Sequence, residues 1–268
     1  MHAGFRARLL AGDRLIGTLI RLPSPEVAEL LAEVGFDWLF IDAEHGPFES
    51  AGALRLLQAV GARCAPLVRV PAGEEVWIKK ALDIGAAGVI IPQVNTAEQG
   101  LRVVRHCKYP PWGTRGVGIA RAHRYGLGFS DYVAEANDGL AVIVQAEHIE
   151  AVRDIAAIAR VPGVDAVLIG PYDLSASMGK PGQITDPEVR RAIDTVRGGV
   201  SRGRGAARDL RFECRRRPAL PGGRIHAHHR RHGYRVPEPG GARRACGPHP
   251  SSRLISSTDA VACCWPPP

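Results

Sequence analysis

The chain has 268 residues, 45% of them hydrophobic, which is enough for one large buried core in a single domain of ordinary size. No run of about 18 apolar residues occurs and the N-terminal residues lack the apolar stretch of a secretory signal, so we predict a cytoplasmic protein with no membrane partner. The six cysteines show no metal-ligand spacing before residue 200, which favours reduced structural thiols over disulfides or zinc sites.

The net charge of +8 is unevenly distributed along the chain. Residues 1–196 carry 20 Lys and Arg against 23 Asp and Glu, a net charge of −3. Residues 197–268 carry 15 arginines, no lysine and 4 acidic residues, a net charge of +11. The positive charge that would suggest a nucleic-acid partner therefore belongs to the C-terminal segment. We predict a mildly acidic globular body that binds no nucleic acid.

Short apolar runs alternate with longer amphipathic ones through residue 196, a pattern typical of βα units in a parallel sheet. The six predicted strands are Leu15–Ile20, Trp38–Asp42, Ala65–Val70, Gly88–Ile91, Leu140–Gln145 and Ala166–Ile169. The predicted helices are Pro25–Val34, Ala51–Gly61, Val76–Ile84, Thr96–His106, Ile149–Arg160 and Pro187–Val196. Two of these helices begin with a proline that follows a capping residue, Ser24 or Asp186. A closed eight-stranded barrel needs two further repeats.

Residues 197–268 do not show those repeats, because neither a strand period nor a helix period is visible there and Gly, Pro, Arg and His dominate. Arginine without lysine, beside glycine, proline and alanine, is the composition that a GC-rich gene gives when it is read in a shifted frame. We therefore hypothesise a change of frame near residue 197. It divides the chain into a barrel body, 1–196, and a tail, 197–268, that is disordered or out of frame. The alternative is a natural basic arm that binds RNA or membranes.

Polar residues follow four of the predicted strands, at the end where a βα barrel collects its functional groups. They are Asp42, Glu44 and His45, then Arg69, then Gln145 and Glu147, then Gly170, Pro171 and Asp173. This set suits an enzyme acting on an anionic oxo acid, with oxygen ligands for Mg²⁺ or Mn²⁺, a base, and a guanidinium for a carboxylate or enolate. Asp42 and Asp173 also suit caps and Arg69 suits an ion pair, but four converging strand ends favour a site. No lysine follows a strand, which disfavours a Schiff base.

Six sequence blocks occur in a fixed order between about residues 5 and 196. They are IDAEHGPFE (41–49), PLVRVP (66–71), KKALDIGAAGVIIPQVNT (79–96), YPPWGTRGVG (109–118), QAEHIEAV (145–152) and GVDAVLIGPYDLSASMG (163–179). Together they resemble the HpcH/HpaI aldolase family, which includes 4-hydroxy-2-oxoheptanedioate and 2-dehydro-3-deoxyglucarate aldolases. The resemblance implies a (β/α)8 TIM barrel of the phosphoenolpyruvate/pyruvate type. It also implies a metal-dependent class II aldolase, a carbon–carbon lyase that forms or cleaves 4-hydroxy-2-oxo acids through a pyruvate enolate.

The resemblance further implies a role for each site residue. Glu147 and Asp173 would ligate the divalent metal, which would be Mg²⁺ or Mn²⁺, with Co²⁺ as a further option. Arg69 would neutralise the enolate, and His45 would assist proton transfer, oriented by Asp42 or, across a subunit interface, by Asp83. The residues implied to bind substrate are Arg69, Gln145, Gly170, Pro171, Tyr172 and Asp173. The implied partners are pyruvate, an aldehyde and further copies of the chain in a homo-oligomer, a hexamer in the family.

Two other functions remain open at this point. A relative of the citrate lyase β-subunit or of malyl-CoA lyase would share the barrel and the metal carboxylates but act on CoA thioesters; the blocks PPWGTRGVG and QAEHIEAV favour the aldolase. An arginine-rich nucleic-acid binder, or an inactive product of a frameshifted gene, belongs to a different class. The tail offers only Phe212, Tyr234 and Trp265 as aromatics, whereas RNA-binding modules usually stack bases on several.

Overall fold

The computed structural model describes residues 4–47, 49–202 and 208–210. Seven strands lie in these ranges: β1 Gly17–Ile20, β2 Trp38–Asp42, β3 Ala65–Arg69, β4 Gly88–Ile91, β5 Ala141–Ala146, β6 Ala166–Ile169 and β7 Arg208–Leu210. The α-helices described there are α1 Phe5–Ala11, α2 Pro25–Glu33, α3 Ser50–Val60, α4 Glu75–Asp83, α5 Ala97–Cys107, α6 Phe129–Gly139, α7 Ile149–Ile158, α8 Pro171–Ser177 and α9 Pro187–Arg202. A 3₁₀ helix spans Arg121–Gly126.

The strands form one curled, entirely parallel sheet whose spatial order is the chain order, β1 to β7. Such an order results when each strand is followed by a helix that crosses over to the next position. The predicted parallel α/β architecture is therefore confirmed. The six predicted strands are all present, with ends that differ by at most two residues from those predicted.

The seventh strand was not predicted. Residues Arg208–Leu210 pair in parallel with β6, in the register Ala166↔Arg208 to Leu168↔Leu210. This strand has only three residues and no apolar run of its own, so the pairing with β6 specifies it rather than its hydrophobic pattern. Within the described ranges β1 and β7 are the outer strands of the sheet, and the remainder of the predicted tail lies outside those ranges.

Helix α9 is longer than predicted, because it continues past Val196 to Arg202. Val200 in this extension is buried, and Gly199 packs so closely on Ile155 of α7 that an added Cβ would lie 2.5 Å from its side chain. The predicted boundary at residue 197 thus falls inside a packed helix. The division of the chain into a body and a tail stays a prediction.

Two hydrophobic clusters cover the two faces of the sheet. The larger one joins the convex face to the helices, and the smaller one fills the concave face with Trp38, Phe40, Leu67, Ile143 and Leu168, among others. Burial on both faces explains why the strands are almost continuously apolar. No helix in the described ranges is long and apolar enough to cross a lipid bilayer.

Helix α1, which was not predicted, closes the concave face at the N-terminal ends of the strands. Phe5 and Leu9 belong to the concave cluster, and the Phe5 ring lies 6.3 Å from the ring of Trp38 at the start of β2. Arg6 binds Asp165, the residue before β6, at 2.8 Å. One end of the concave face is therefore filled, and only the C-terminal ends of the strands are left for a site.

Two of the six cysteines lie in the described part of the chain, and both are free thiols. Burial raises the pKa of Cys64 to about 11 and that of Cys107 to about 12. Both thiols therefore stay protonated near neutral pH and pack as small apolar side chains.

We predict that Leu9→Ala destabilises the protein by about 2–5 kcal/mol, because it opens a cavity beneath the concave cluster. Leu30→Ala on α2 is the matched control: Leu30 is 62% exposed, so its truncation should change the free energy of unfolding by no more than about 0.5 kcal/mol. Urea denaturation of the two variants measures the difference. Equal effects would show that α1 does not close the concave face.

Candidate active site

Alternate side chains along each strand face the concave side of the sheet. The last of them lie at the C-terminal ends of the strands, which form an open rim. On β2, Trp38 and Phe40 fill the concave cluster, and Asp42 is the next residue on that side. On β3, Leu67 lies in the same cluster and Arg69 follows it. Asp42 and Arg69 are also paired directly in the register of the two strands, so the topology brings a carboxylate and a guanidinium together at the rim.

Asp42 and Arg69 form a two-pronged ion pair. The Asp42 carboxylate accepts hydrogen bonds from Arg69 Nε at 2.9 Å and from Arg69 Nη2 at 2.8 Å. It also accepts the backbone N–H groups of Glu44 and His45 at 3.2 and 3.1 Å. Burial raises the pKa of Asp42, but the hydrogen bonds and charge of Arg69, together with His45, outweigh burial and hold that pKa below its ordinary value. Asp42 therefore fixes both the Arg69 side chain and the loop that follows β2.

A second group of polar side chains continues from Arg69 across the concave face to β5. Arg69 Nη1 donates to Gln145 Oε1 at 3.4 Å, and Gln145 Nε2 donates to Glu147 Oε2. Glu147 Oε1 accepts the backbone N–H of Gln93 at 2.8 Å. Gln145 and Glu147 are both 1% exposed, so one connected network holds a buried carboxylate at the rim.

Burial of the Glu147 carboxylate raises its pKa more than its hydrogen bonds lower it. Burial, together with the nearby charges of Glu44 and Asp173, raises its pKa to about 7 despite the donors from Gln145 and Gln93. Burial also raises the pKa of Glu44, with Asp42 and Asp173 adding to the effect and Arg69 opposing it. Negative charge is thus concentrated at one place on the rim.

A divalent cation fits this donor set. Within the described ranges no group of three or more His, Cys, Asp and Glu side chains is arranged to hold a metal. Mg²⁺, however, is usually held by one or two carboxylates together with waters and substrate oxygens. Glu147 and Asp173 can supply those carboxylates, and a cation between them would stabilise the ionised form of Glu147, which burial and, to a lesser extent, the charges of Glu44 and Asp173 disfavour.

Gly170 lets β6 approach this network. An added Cβ at position 170 would lie 2.7 Å from Glu147 Oε2 and 3.0 Å from Gln145 Nε2. Gly170 is also the N-cap residue of α8, so Asp173 lies inside the first turn of that helix and the capping alternative for Asp173 is wrong. Asp173 and Tyr172 are exposed at the rim, and Pro171 is the first helical residue.

The environment of His45 differs from the one expected. Asp42 accepts the backbone N–H of His45, whereas the imidazole Nε2 lies 3.8 Å from Glu44 Oε2. The His45 side chain is 52% exposed. Asp42 thus positions the His45 backbone, and the ring is left to rotate toward the open rim.

Asp83 is not brought to the rim within this chain. It ends α4, and the helices run antiparallel to the strands, so it lies near the N-terminal start of β4. There it accepts a hydrogen bond at 2.7 Å from Arg115, whose side chain is fully buried over the Tyr109 ring. A role for Asp83 at the His45 of a neighbouring copy stays a prediction.

Three residues of the rim were not assigned a role from the sequence. Glu44 Oε2 lies 3.2 Å from Arg69 Nε. Arg21, directly after β1, donates from Nη2 to the His45 carbonyl at 3.0 Å. Because Arg21 lies two residues after Leu19, the alternation of side chains along β1 could have indicated that Arg21 faces the rim. Gln93, in a left-handed backbone conformation with φ 54°, donates its backbone N–H to Glu147. A pattern of side chains in the sequence cannot predict a contact made by the backbone. Gln93 also lines a cavity of about 530 Å³ between the loops that follow β3 and β4.

A model of the HpcH/HpaI aldolase/citrate lyase family matches residues 16–209, which confirms the resemblance. A 4-hydroxy-2-oxovalerate aldolase from Rhodococcus jostii is 45% identical over 191 residues, which are 70% of this chain and 74% of the relative. A hydroxypyruvate/pyruvate aldolase from Cupriavidus necator is 45% identical over 193 residues, 71% of each chain.

Solved structures show the same likeness. An HpcH/HpaI aldolase/citrate lyase family protein from Burkholderia cenocepacia superposes with a TM-score of 0.74 at 38% identity, covering 77% of this chain and 84% of that one. An HpcH/HpaI aldolase from Desulfitobacterium hafniense gives a TM-score of 0.69 at 34% identity, covering 77% and 81%. The named curated relatives are aldolases, which are carbon–carbon lyases. This chain belongs to the HpcH/HpaI aldolase/citrate lyase family.

Proposed function

We propose that this protein is a metal-dependent class II aldolase that forms or cleaves 4-hydroxy-2-oxo acids through a pyruvate enolate. The observation that carries the proposal is the connected network of Asp42, Arg69, Gln145 and Glu147 at the rim of the concave face. It places a buried carboxylate that suits a cation beside an arginine that suits an enolate. The family and the aldolase names of the relatives agree with this chemistry.

The metal would be held by Glu147 and Asp173, as Mg²⁺, Mn²⁺ or Co²⁺. When bound, the cation supplies Lewis-acid polarisation of the oxo group of pyruvate. Gln145 orients Glu147 through its amide, and the residues from Gly170 to Asp173 form the adjoining wall against the pyruvate carboxylate, with Tyr172 at its edge. Within this set, Gln145 and Glu147 are already held in place by the hydrogen-bond network.

Arg69 stabilises the charge that develops in the reaction. In the synthetic direction the pyruvate methyl loses a proton, the resulting carbon bonds to the aldehyde carbon, and the aldehyde oxygen takes up a proton to become the 4-hydroxyl. Charge on the enolate oxygen exceeds that on the neutral ketone, so a guanidinium held by Asp42 stabilises the transition state more than the substrate. His45, half-exposed beside Glu44, moves the proton at the aldehyde oxygen.

The rival functions have weaker support. Curated relatives at 43–46% identity carry aldolase names, which favours an aldolase over a CoA-thioester lyase. Those names cover 4-hydroxy-2-oxovalerate, hydroxypyruvate with pyruvate, and 2-keto-3-deoxy-L-rhamnonate, so we infer pyruvate and an aldehyde as substrates. The arginine-rich segment that motivated a nucleic-acid binder lies outside the described residues, except for β7 and the end of α9. A cytoplasmic location stays a prediction.

A homo-oligomer, hexameric as in the family, is part of the proposal. Large apolar side chains are exposed between residues 112 and 127: Trp112 at 74%, Ile119 at 71%, Tyr125 at 67% and Leu127 at 89%. Several large exposed apolar side chains within one short segment support an interface there. The same segment contains Arg115, which holds Asp83, so an interface here would place Asp83 near a second copy.

The proposal also includes the C-terminus. In this proposal the complete fold is a closed eight-stranded barrel. The gene contains a change of reading frame near residue 197, in the last turns of α9, and the residues after it no longer encode the end of the barrel. The support is compositional: the 15 arginines without lysine begin there. The family match continues only to residue 209.

We predict that the protein releases pyruvate from 4-hydroxy-2-oxo acids only with Mg²⁺, Mn²⁺ or Co²⁺, and that chelation abolishes the activity. Arg69→Lys keeps the charge but loses the planar fork, so turnover should fall about 10²-fold or more. Arg191→Lys, an exposed position on α9, is the matched control and should be without effect. A coupled lactate dehydrogenase assay measures release. Activity that survives chelation, with a lysine adduct trapped by borohydride in the presence of pyruvate, would contradict the proposal.

We predict that Gly170→Ala weakens Mn²⁺ binding about 10- to 100-fold, because the new methyl group displaces the Glu147 carboxylate from its donors. Gly116→Ala is the control, since its added Cβ would meet nothing closer than Lys79 at 3.8 Å. Isothermal titration with Mn²⁺ gives both dissociation constants. Unchanged affinity in the Gly170 variant would remove Glu147 from the metal site.

We predict that resequencing the gene reveals an inserted or deleted base near codon 197, and that a chain with the frame restored is expressed in higher soluble yield. The physical reason is that a closed eight-stranded barrel has no outer strands, whereas β1 and β7 are the outer strands of the described sheet. Side-by-side expression of both chains, followed by size-exclusion chromatography, provides the measurement. An uninterrupted frame through these codons would exclude the hypothesis.

A further inference from the structure

Arg21 faces the candidate site although it lies outside the metal network. An added Cβ at Gly17 would meet the Trp38 ring at 2.3 Å, which places Gly17 on the concave side of β1. Side chains at positions 19 and 21 follow on the same side, because the strand period is two residues. Since Ile20 pairs with Ile41 in the parallel register, Arg21 emerges at the rim beside Asp42.

The described contacts of Arg21 use two of its guanidinium nitrogens, Nη2 and Nε, and its side chain is half-exposed. Its Nη2 donates to the His45 carbonyl oxygen at 3.0 Å, and its Nε lies 3.7 Å from Asp42 Oδ2. The side chain is nevertheless 51% exposed. An arginine has five N–H donors, so several remain for a ligand that enters the rim.

Arg21 is not required to neutralise Asp42. Both oxygens of Asp42 already accept hydrogen bonds from Arg69, and one of them accepts two backbone N–H groups as well. The carboxylate is 1% exposed, whereas Arg21 approaches it only at 3.7 Å. The charge of Arg21 is therefore available to an incoming anion, and a guanidinium binds a carboxylate best through two parallel hydrogen bonds.

The order of the strands separates the two halves of the reaction. Glu147 and Asp173, which hold the pyruvate end, follow β5 and β6. Arg69 follows β3, His45 follows β2, and Arg21 follows β1 at the outer side of the sheet. An aldehyde whose carbonyl lies between Arg69 and His45 therefore directs its substituent toward Arg21.

We propose that Arg21 is a specificity-determining residue that binds the carboxylate of an acidic acceptor aldehyde, so that the preferred acceptor is an oxo acid rather than a neutral aldehyde. This inference rests on the proposed aldolase function. Loss of a charged hydrogen-bond pair of this kind corresponds to about a 10- to 100-fold effect on the affected substrate.

The test compares two acceptors of similar size, glyoxylate and glycolaldehyde, in condensation with pyruvate by the wild type, Arg21→Gln and Arg21→Lys. The measured quantity is the ratio of kcat/KM for glyoxylate to kcat/KM for glycolaldehyde. We expect Arg21→Gln to lower this ratio at least tenfold, and Arg21→Lys to lower it less because the charge remains. Melting temperatures of both variants check that they are folded.

A purely structural role for Arg21, in which it only fixes the His45 loop, would lower both kcat/KM values together and leave the ratio unchanged, and that result overturns the inference. A ratio that changes only for glyceraldehyde 3-phosphate against glyceraldehyde would assign Arg21 to phosphate and also overturn it. If the wild type condenses pyruvate with neither acceptor, the proposed function itself fails. Activity with both acceptors and an unchanged ratio refutes the role of Arg21 alone.

Discussion

The pairing of Asp42 with Arg69 is the interaction on which the rest of the site depends. It joins two adjacent strands at directly opposed positions, and Asp42 at the same time binds the backbone of the loop that carries His45. A buried carboxylate without its arginine would be strongly unfavourable, as would the reverse. The pair therefore fixes the relative positions of β2, β3 and the loop between β2 and α3.

Arg69 connects the pair with Asp42 to the polar side chains at the other half of the rim. The third nitrogen of Arg69 contacts Gln145, and Gln145 binds Glu147. The backbone of Gly170 lies so close to Gln145 and Glu147 that neither side chain can move toward β6. The ends of β2, β3, β4 and β5 are thus tied together by polar contacts above the apolar concave cluster. Catalytic groups held in this way lose little freedom when substrate binds, which is the usual structural origin of efficient positioning.

The sequence predicts strands β2 to β6 well because they are buried on both faces and read as apolar runs; Trp38–Asp42 and Ala166–Ile169 agree in both ends. It also indicates which residues meet at the rim, since strand ends in a parallel sheet share an edge. It does not predict β7, which exists through pairing with β6, nor the length of α9, where packing on α7 overrides the glycines at 198 and 199. It does not indicate that Asp42 accepts its hydrogen bond from the backbone N–H of His45 rather than from the imidazole ring.

The contact between Gln93 and Glu147 has a consequence for how this site can change. Because a main-chain N–H supplies the bond, holding the carboxylate does not depend on the side chain of Gln93, a residue that also lines the cavity between the loops after β3 and β4. Substitutions there can reshape the approach to the rim while the carboxylate keeps its donor. Glycine would even relieve the left-handed backbone, φ 54°. At position 93 the backbone thus holds the carboxylate while the side chain is free of that task, so the side chain can be changed without removing the hydrogen bond to Glu147.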